Sequence, residues 1–325
     1  MKIIINKIKS RLTIISCVVA GLFLLNTAGY AQDSTAAVNA AAPAPAKKKP
    51  VKNTFPSIWI IDNQTVTVPV KGTLEIDIQH RFGTVQNGYQ DFWGFFAPSN
   101  IRLGVNYSPI NKLNVGFGIT KNRMLGDLNA KYAILTQTKG RYPVSVSYYV
   151  NMAYDTRKDK DKTIFKYQSQ RLSYFHQLLI ARKITNKLSV QVAPSISHQN
   201  SIEGYYTKND STGTAIFKKM KFDHFAIALS ARYKLTNVMS FMINYDQPLT
   251  KHATKNPHPN FSFGFEMNTS SHSFQIFAGN YSMLSPQQNN LYNENNPFGY
   301  TESDGTKTKG GQFVIGFNIT RLWNY

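Results

Sequence analysis

Ten charged residues lie on one side of a two-residue alternation that recurs along the chain, and they are the residues best placed to do chemistry. Carboxylates and cations that share a confined polar space can select a passing solute by charge, or they can pair with one another and serve only structure. The sequence leaves both alternatives open. The ten residues are Glu75, Asp77, Arg81, Arg102, Asp127, Lys131, Arg171, Arg232, Asp246 and Glu266.

A second group of candidates is aromatic and lies in residues 83–98. Phe92, Trp93, Phe95 and Phe96 occur close together there. If the segment folds inward, their flat apolar faces suit a sugar or an aromatic ligand. A loop that merely packs on the rim of a larger structure has the same composition, so both interpretations stand.

Catalytic and metal-binding patterns are weak. The Gly-x-Ser-x-Gly motif of serine hydrolases is absent, although His80 and His176 lie on apolar faces where a membrane-embedded lipid hydrolase would place a base. His252 and His258 share one segment, but no Cys or carboxylate accompanies them there, so no metal site is predicted. The single Cys, Cys17, lies in an N-terminal apolar stretch. We therefore predict no enzyme, no metal and no cofactor.

The N-terminal region is typical of an export signal followed by a linker. Basic residues precede an apolar run from Leu12 to Leu25, and small residues near Ala31 suit cleavage. The run is shorter than the roughly 20 residues that a helix needs to span a bilayer, so we predict a cleaved signal peptide over residues 1–31. Residues 32–53 are rich in Ala, Pro and Lys and predict a disordered periplasmic tether.

From residue 72 onward, apolar and polar residues alternate in short segments. In the first segment Leu74, Ile76 and Ile78 fall on one face, because successive side chains of a strand point to opposite sides. The pattern predicts twelve β-strands, to within about two, and segment 58–68 is a candidate for one more. The twelve segments are 72–82, 99–108, 112–120, 127–136, 144–154, 171–183, 188–198, 222–234, 238–246, 260–269, 273–281 and 310–321.

The connections between these segments alternate between long and short. Transmembrane barrels have long external loops and short periplasmic turns, whereas a soluble sandwich has no reason to sort its connections. One face of each strand is apolar and the other polar, as lipid outside and a polar lumen inside require. Aromatic residues near strand ends suit an interfacial belt: Tyr107, Tyr154, Tyr245, Tyr281, Trp323 and Tyr325. We predict an all-β antiparallel transmembrane β-barrel over residues 54–325, in the outer membrane of a Gram-negative cell.

Short motifs along the chain resemble a known family of membrane-bound β-barrels over roughly residues 54–325. The motifs are Gln79-His80-Arg81-Phe82-Gly83, Asp91-Phe92-Trp93-Gly94, Ser99-Asn100-Ile101-Arg102-Leu103-Gly104, Gly116-Phe117-Gly118, Lys131-Tyr132-Ala133-Ile134-Leu135, Arg171-Leu172-Ser173-Tyr174-Phe175 and residues 313–318. The family is a domain of unknown function. The resemblance therefore implies a fold and a location, and it assigns no catalytic or binding residue.

The net positive charge of the chain limits the classes of partner that it can bind. Lys and Arg number 37 against 17 Asp and Glu, an excess that can indicate nucleic acid, but an exported protein does not meet nucleic acid in the cytoplasm. Cations in the predicted external loops instead suit the phosphates of lipopolysaccharide. We also expect contact with outer-membrane lipid and, because the chain ends on an aromatic residue, with the barrel assembly machinery during biogenesis.

These patterns favour a narrow channel for passive or weakly selective passage of small polar or anionic solutes. The alternative is a closed barrel that binds or anchors something through its loops, and a third hypothesis is a membrane-embedded lipid hydrolase. Because no plug domain is apparent ahead of the strands, an energy-coupled transporter of large solutes is not expected. Conductance would separate the first two hypotheses.

Overall fold

The computed structural model describes residues 49–52, 54–202, 204–208, 213, 215–252, 256–301, 307–308 and 310–324. The predicted signal peptide and nearly all of the predicted tether lie outside these residues. No helix in the described part of the chain is long and apolar enough to cross a membrane.

Twelve antiparallel strands close into a single barrel, which confirms the predicted fold class and strand count. The barrel strands are β1 (Thr73–Thr84), β2 (Asn100–Ile110), β3 (Leu113–Thr120), β4 (Leu125–Leu135), β5 (Ser145–Asp155), β6 (Leu172–Lys183), β7 (Leu188–Gln199), β8 (Asp223–Lys234), β9 (Met239–Pro248), β10 (Asn260–Asn268), β11 (His272–Gly279) and β12 (Val314–Asn324).

The barrel closes where β12 pairs with β1, with Ile319 opposite Ile78. Closure removes the unpaired strand edges that a sheet cannot leave in lipid. The predicted last strand, 310–321, is displaced toward the C-terminus, since pairing with β1 continues until Asn324 lies opposite Thr73. All other ends of the barrel strands lie within two residues of the prediction.

The two ends of the barrel differ in their connections. One end, here called the short-turn rim, carries residues 111–112, 136–144, 184–187, 235–238 and 269–271. The other, the long-loop rim, carries the described residues 85–99, 121–124, 156–171, 200–202, 204–208, 213, 215–222, 249–252, 256–259, 280–301, 307–308 and 310–313. The predicted sorting of connections is therefore present except between 121–124 and 136–144, where the connection at the short-turn rim is the longer one. The chain enters β1 and leaves β12 at the short-turn rim.

The two faces of the wall follow the predicted alternation. Outward side chains such as Leu103, Phe117 and Ile276 are exposed, whereas inward ones such as Asp77, Gln79 and Asn106 are buried. In a membrane the exposed apolar belt contacts lipid. The inward polar residues are buried because other segments of the chain fill the lumen, as described below.

Candidate functional site: a filled barrel lumen

Residues 54–67, here called the lumen hairpin, lie inside the barrel. Trp59–Ile60 pairs with Asn63–Gln64 around a turn at Ile61 and Asp62, and Ile60 and Ile61 are at most 1% exposed. Segment 58–68 is thus not a wall strand. The expectation that nothing N-terminal plugs the barrel is also wrong, since this hairpin occupies the space that a channel needs.

Amide side chains of the wall bind the backbone of the lumen hairpin. Gln275 donates from Nε2 to the carbonyl of Trp59 (2.9 Å) and accepts at Oε1 from the N–H of Ile61 (3.1 Å). Gln191 donates to the carbonyl of Gln64 (2.7 Å) and accepts from the N–H of Val66 (3.0 Å). Each glutamine takes the place of a neighbouring peptide group. The hairpin strands are only two residues long, and these bonds satisfy backbone groups that would otherwise be buried without a partner.

Charged residues of the wall also bind the hairpin. Asp62 at its tip forms an ion pair with Arg81, whose side chain is fully buried. Asn63 donates to Asp246 at 2.8 Å. Lys131 donates from Nζ to Gln64 Oε1 (2.8 Å) and to the carbonyl of Thr65 (3.1 Å). Three of the predicted lumen residues are therefore paired with the hairpin.

Apolar side chains of the hairpin complete a core inside the barrel. Phe55, Ile60, Ile61 and Val66 cluster with inward residues of the wall, namely Tyr149, Phe175, Leu179, Ala181, Ala193, Ala228, Met242 and Phe277. Apolar residues at inward positions were the sequence signal for a plug, because a water-filled lumen would leave them exposed to water. The alternation places Phe175 and Leu179 on the inward face, so the strand pattern already indicates a filled lumen.

The tip of the hairpin has a strained backbone. Ile61 has a φ of 58°, in the left-handed region that β-branched residues rarely adopt. Strain of this kind costs on the order of 1–3 kcal/mol and persists only when the surrounding structure fixes it. Here the fixing contacts are Gln275 to the N–H of Ile61 and Asn318 Nδ2 to its carbonyl (2.6 Å).

A second group of inward charges pairs within the wall. Arg102 donates to Asp77 (2.9 Å) and to both carboxylate oxygens of Asp127 (2.9 and 3.0 Å). Gly104 and Gly118 make room for this cluster, because a Cβ at either position would collide with the Arg102 guanidinium. Arg102 also lies 5.6 Å from the centroid of the ring of Trp59 on the hairpin.

The remaining predicted lumen residues divide between lumen and rim. Arg232 pairs with Glu266, and Glu75 is buried beside Lys131. Arg171 is not a lumen residue. It precedes β6 at the long-loop rim, where it donates to the carbonyls of Asp155 (2.8 Å) and Arg157 (2.7 Å), because the strand begins one residue after it.

The aromatic residues of 83–98 do not fold inward. Phe92, Trp93, Phe95 and Phe96 are 41–83% exposed, and Phe95 packs on Phe82, an outward residue of β1, with ring centroids 4.5 Å apart. The rim-packing interpretation holds, and an inward constriction made by this loop is wrong. Their role as binding residues stays a prediction.

The loop that does fold inward is residues 280–293, here called the inserted loop. Its buried residues are Asn280, Tyr281, Leu284, Ser285, Gln287, Gln288, Asn289, Asn290, Leu291 and Asn293. Gln287 donates to the carbonyl of Asn151 (3.3 Å) and accepts at its own carbonyl from Gln199 (3.0 Å). Tyr281, predicted for the interfacial belt, instead bonds Ser262 inside the barrel (3.0 Å), because the loop turns inward directly after β11.

The histidines are arranged for hydrogen bonding. His252 accepts at Nδ1 from the N–H of Lys221 (3.0 Å), so its Nε2 carries the proton and donates to His224 Nδ1 (3.2 Å). A metal would need lone pairs on both facing nitrogens, and one of them is a donor. No group of three metal-ligating side chains occurs in the described part of the chain.

The two histidines proposed as hydrolase bases have partners that do not suit catalysis. His176 bonds the hydroxyl of Tyr148 (2.9 Å), and His80 stacks on Phe317 with centroids 5.0 Å apart. Neither contact places a serine hydroxyl or a thiol beside the imidazole.

A closed barrel with a polar, filled lumen and an apolar outer belt defines a membrane-spanning β-barrel. The model of the family described as membrane bound beta barrel domain (DUF5777) matches residues 55–323, so the chain belongs to this family. The match begins at the lumen hairpin, which is thus part of the family domain. No curated protein matches the chain.

Solved structures with a similar architecture are outer-membrane proteins. The NanC porin is 10% identical with a TM-score of 0.42, and the match covers 78% of this chain and 99% of that one. An outer membrane channel from Pseudomonas putida F1 is 12% identical with a TM-score of 0.45, covering 79% and 97%. The toluene transporter TodX of Pseudomonas putida is 8% identical with a TM-score of 0.35, covering 80% and 91%. Similarity at this level carries no information on the solute.

Proposed function

We propose that this protein is an outer-membrane channel for small polar solutes that is closed at rest by the lumen hairpin and opens when the hairpin leaves the lumen. The observation that carries the proposal is how the hairpin is held. Wall amides and charges bind its backbone, and water can replace each of these bonds when the hairpin moves away. The short-turn rim, where the hairpin enters, would face the periplasm, and the long loops the exterior.

The charge of the lumen favours small polar solutes over anions as a class. The inward set contains Glu75, Asp77, Asp127, Asp246 and Glu266 against Arg81, Arg102, Lys131 and Arg232. Asp77 and Asp127 pair with Arg102 within the wall, so these two ion pairs do not use a residue of the hairpin. A hydrated lumen would therefore carry little net charge, and we expect weak ion selectivity.

The alternative, a closed barrel that acts through its loops, is favoured by the inserted loop, which fills the lumen from the long-loop side. Tyr281 of this loop lies beside Asp62 at the tip of the hairpin, so the two fillings meet inside the barrel. The third hypothesis, a lipid hydrolase, has no comparable support from the contacts of His80 and His176.

Single-channel recording in planar bilayers tests the proposal. We expect rare openings from the wild type and stable steps after deletion of residues 54–67. We expect larger steps when residues 284–291 are also replaced by a Gly-Ser linker. The double variant Gln191→Leu with Gln275→Leu keeps the hairpin but loosens it, and should open more often than the wild type. Gln247→Ala, on the outward face, is the matched control and should behave as the wild type.

Folding is checked by the shift of the intact barrel on unheated gels. Silence from every folded variant would overturn the channel and leave the loop-based function. If the deletion does not fold, the double variant decides alone, because it changes only two side chains of the wall.

A further inference from the structure

The two rims differ in charge, since the long-loop rim carries both signs and the described turns of the short-turn rim carry only cations. At the long-loop rim cations are interleaved with carboxylates, among them Asp91, Asp155, Asp159, Asp223 and Glu294. In the described residues, the turns of the short-turn rim contain no Asp or Glu. The cations of this rim are Lys49, Lys52, Lys71, Lys112, Lys139, Arg141, Arg182, Lys183, Lys187, Lys234 and Arg321.

Five of these cations lie around a groove at the short-turn rim. The groove has a volume of about 960 Å³ and lies between turns 136–144 and 184–187. Lys52, Lys139, Arg141, Arg182 and Lys183 line it. Cations that lie close together around a groove repel one another, and a bound anion lowers that electrostatic cost.

Hydrogen bonds between the two turns fix the shape of the groove. Gln137 accepts at Oε1 from the N–H of Lys183 (2.8 Å) and donates to its carbonyl (3.1 Å). The chain ahead of the lumen hairpin crosses the same place, because Val51 donates to the carbonyl of Gln137 (2.7 Å) and Lys183 Nζ donates to the carbonyl of Lys52 (3.1 Å). The groove is therefore built by three segments of the chain.

The position of the groove relative to the apolar belt points to the kind of anion. Arg182 is an outward residue of β6, one step along that face from Ile180, which packs in the belt opposite Val146 of β5. Arg321, elsewhere on the same rim, lies on the outward face of β12 near its end, and its guanidinium is 4.7 Å from the centroid of the ring of Trp323. An Arg that packs on Trp at the end of an apolar belt, as Arg321 does, is typical of the level of lipid headgroups.

We propose that the short-turn rim binds anionic phospholipid of the adjacent leaflet, and that the groove formed by Lys52, Lys139, Arg141, Arg182 and Lys183 holds the phosphodiester headgroup. Clusters of Lys and Arg beside a membrane attract acidic lipid in this way, and guanidinium groups bind phosphate through paired hydrogen bonds. The inference is independent of the channel, since a barrel that never conducts would bind lipid equally well. It also locates the lipid where the chain enters the lumen hairpin.

Native mass spectrometry of the purified mature chain, titrated with dioleoyl phosphatidylglycerol or dioleoyl phosphatidylcholine, tests this inference. We expect at least about tenfold tighter binding of phosphatidylglycerol at low salt, and weaker binding at high salt because salt screens exposed charges. The variant Lys139→Gln with Arg141→Gln should lose about fivefold in affinity for each cation removed. The matched control, Lys158→Gln with Lys160→Gln at the long-loop rim, should bind as the wild type.

Three outcomes would overturn the proposal. The first is equal affinity for the two lipids, and the second is equal loss of affinity in the two double variants. The third is displacement of the lipid by millimolar inorganic phosphate or by a soluble anionic polymer, which would indicate a site for free anions or for a polymer. The substituted side chains are exposed, so the variants are expected to fold.

Discussion

The lumen hairpin and the inserted loop fill the same barrel from opposite ends, but they are held by different chemistry. The hairpin is bound through an ion pair at Asp62, a lysine at its second strand and an apolar cluster. The inserted loop is bound mostly by neutral amides, such as Gln287 with Asn151 and Asn293 with Asn260 (2.8 Å).

This difference bears on which segment can act as a gate. Removing the hairpin from a dry lumen would leave buried charges without partners, at a large cost, so the hairpin can leave only as water enters. Removing the inserted loop leaves neutral amides without partners, and this costs less free energy than leaving buried charges unpaired. Opening at the hairpin is thus coupled to hydration of the lumen.

The largest expected effect follows from Arg81→Leu, which leaves Asp62 without its cation. Breaking a buried pair costs about 3–5 kcal/mol, and we expect the hairpin to leave the lumen while the wall stays folded. In the mature chain carrying Ile60→Cys, maleimide labelling of the thiol should accelerate at least about tenfold. Arg157→Leu, which breaks the partly exposed pair with Asp155, is the control. Unchanged labelling would show that the ion pair does not hold the hairpin.

Gln275→Leu is expected to have the next largest effect. It removes the bonds to the carbonyl of Trp59 and from the N–H of Ile61. The net loss is about 1 kcal/mol for each bond, because water can take their place when the hairpin leaves the lumen. Labelling of Ile60→Cys should again accelerate, though less than for Arg81→Leu. An effect larger than that of Arg81→Leu would reverse the ranking of charge over amide contacts.

Gln287→Leu makes the corresponding change in the inserted loop. The loss of its bond to Asn151 should cost about 1 kcal/mol and should expose a cysteine placed at Leu291. Labelling of Ile60→Cys should not change, because Gln287 bonds to Asn151 and Gln199 and not to the hairpin. If both sites become accessible together, the two fillings move as one unit.

Acid should loosen the long-loop rim near His252. Burial, followed by the nearby cation of Lys221, lowers the pKa of His252 below its ordinary value of 6.5. Because the pKa of His252 is lower in the folded than in the unfolded protein, the neutral imidazole stabilises the fold when the pH is above the unfolded-state pKa. This stability is lost as the pH falls through the folded-state pKa. Hydrogen exchange at the Lys221 amide, corrected for its intrinsic rate, should therefore accelerate below pH 6.5. His252→Asn should abolish this response, and His258→Asn should preserve it.

The smallest effect is expected from Phe96→Ser. Phe96 is 83% exposed, and exposed substitutions away from special contacts change stability by only about 0.5 kcal/mol. Urea unfolding of the barrel and labelling of Ile60→Cys should both match the wild type. A large change in either would place the aromatic loop 83–98 in the gate.

Much of the fold could be predicted from the sequence because the alternation within each strand shows which residues face lipid and which face the lumen. The alternation of Glu75, Ile76, Asp77 and Ile78 requires lipid on one side and a polar space on the other, whichever strand lies beside it. Nine of the ten predicted charged residues lie in the lumen for this reason. Arg171 was misplaced because the alternation does not mark where a strand begins.

The plug was not predicted, although inward Phe175 and Leu179 hinted at it, because a two-residue strand has no period that a sequence pattern can reveal. Its partners also come from distant parts of the chain, as with Trp59 and Gln275. The sequence alone determined the barrel, its strand count and its membrane-facing surface, since these depend on local alternation. Only the tertiary structure decided that the lumen is filled and which charges are paired, because those contacts join segments that closure of the barrel brings together.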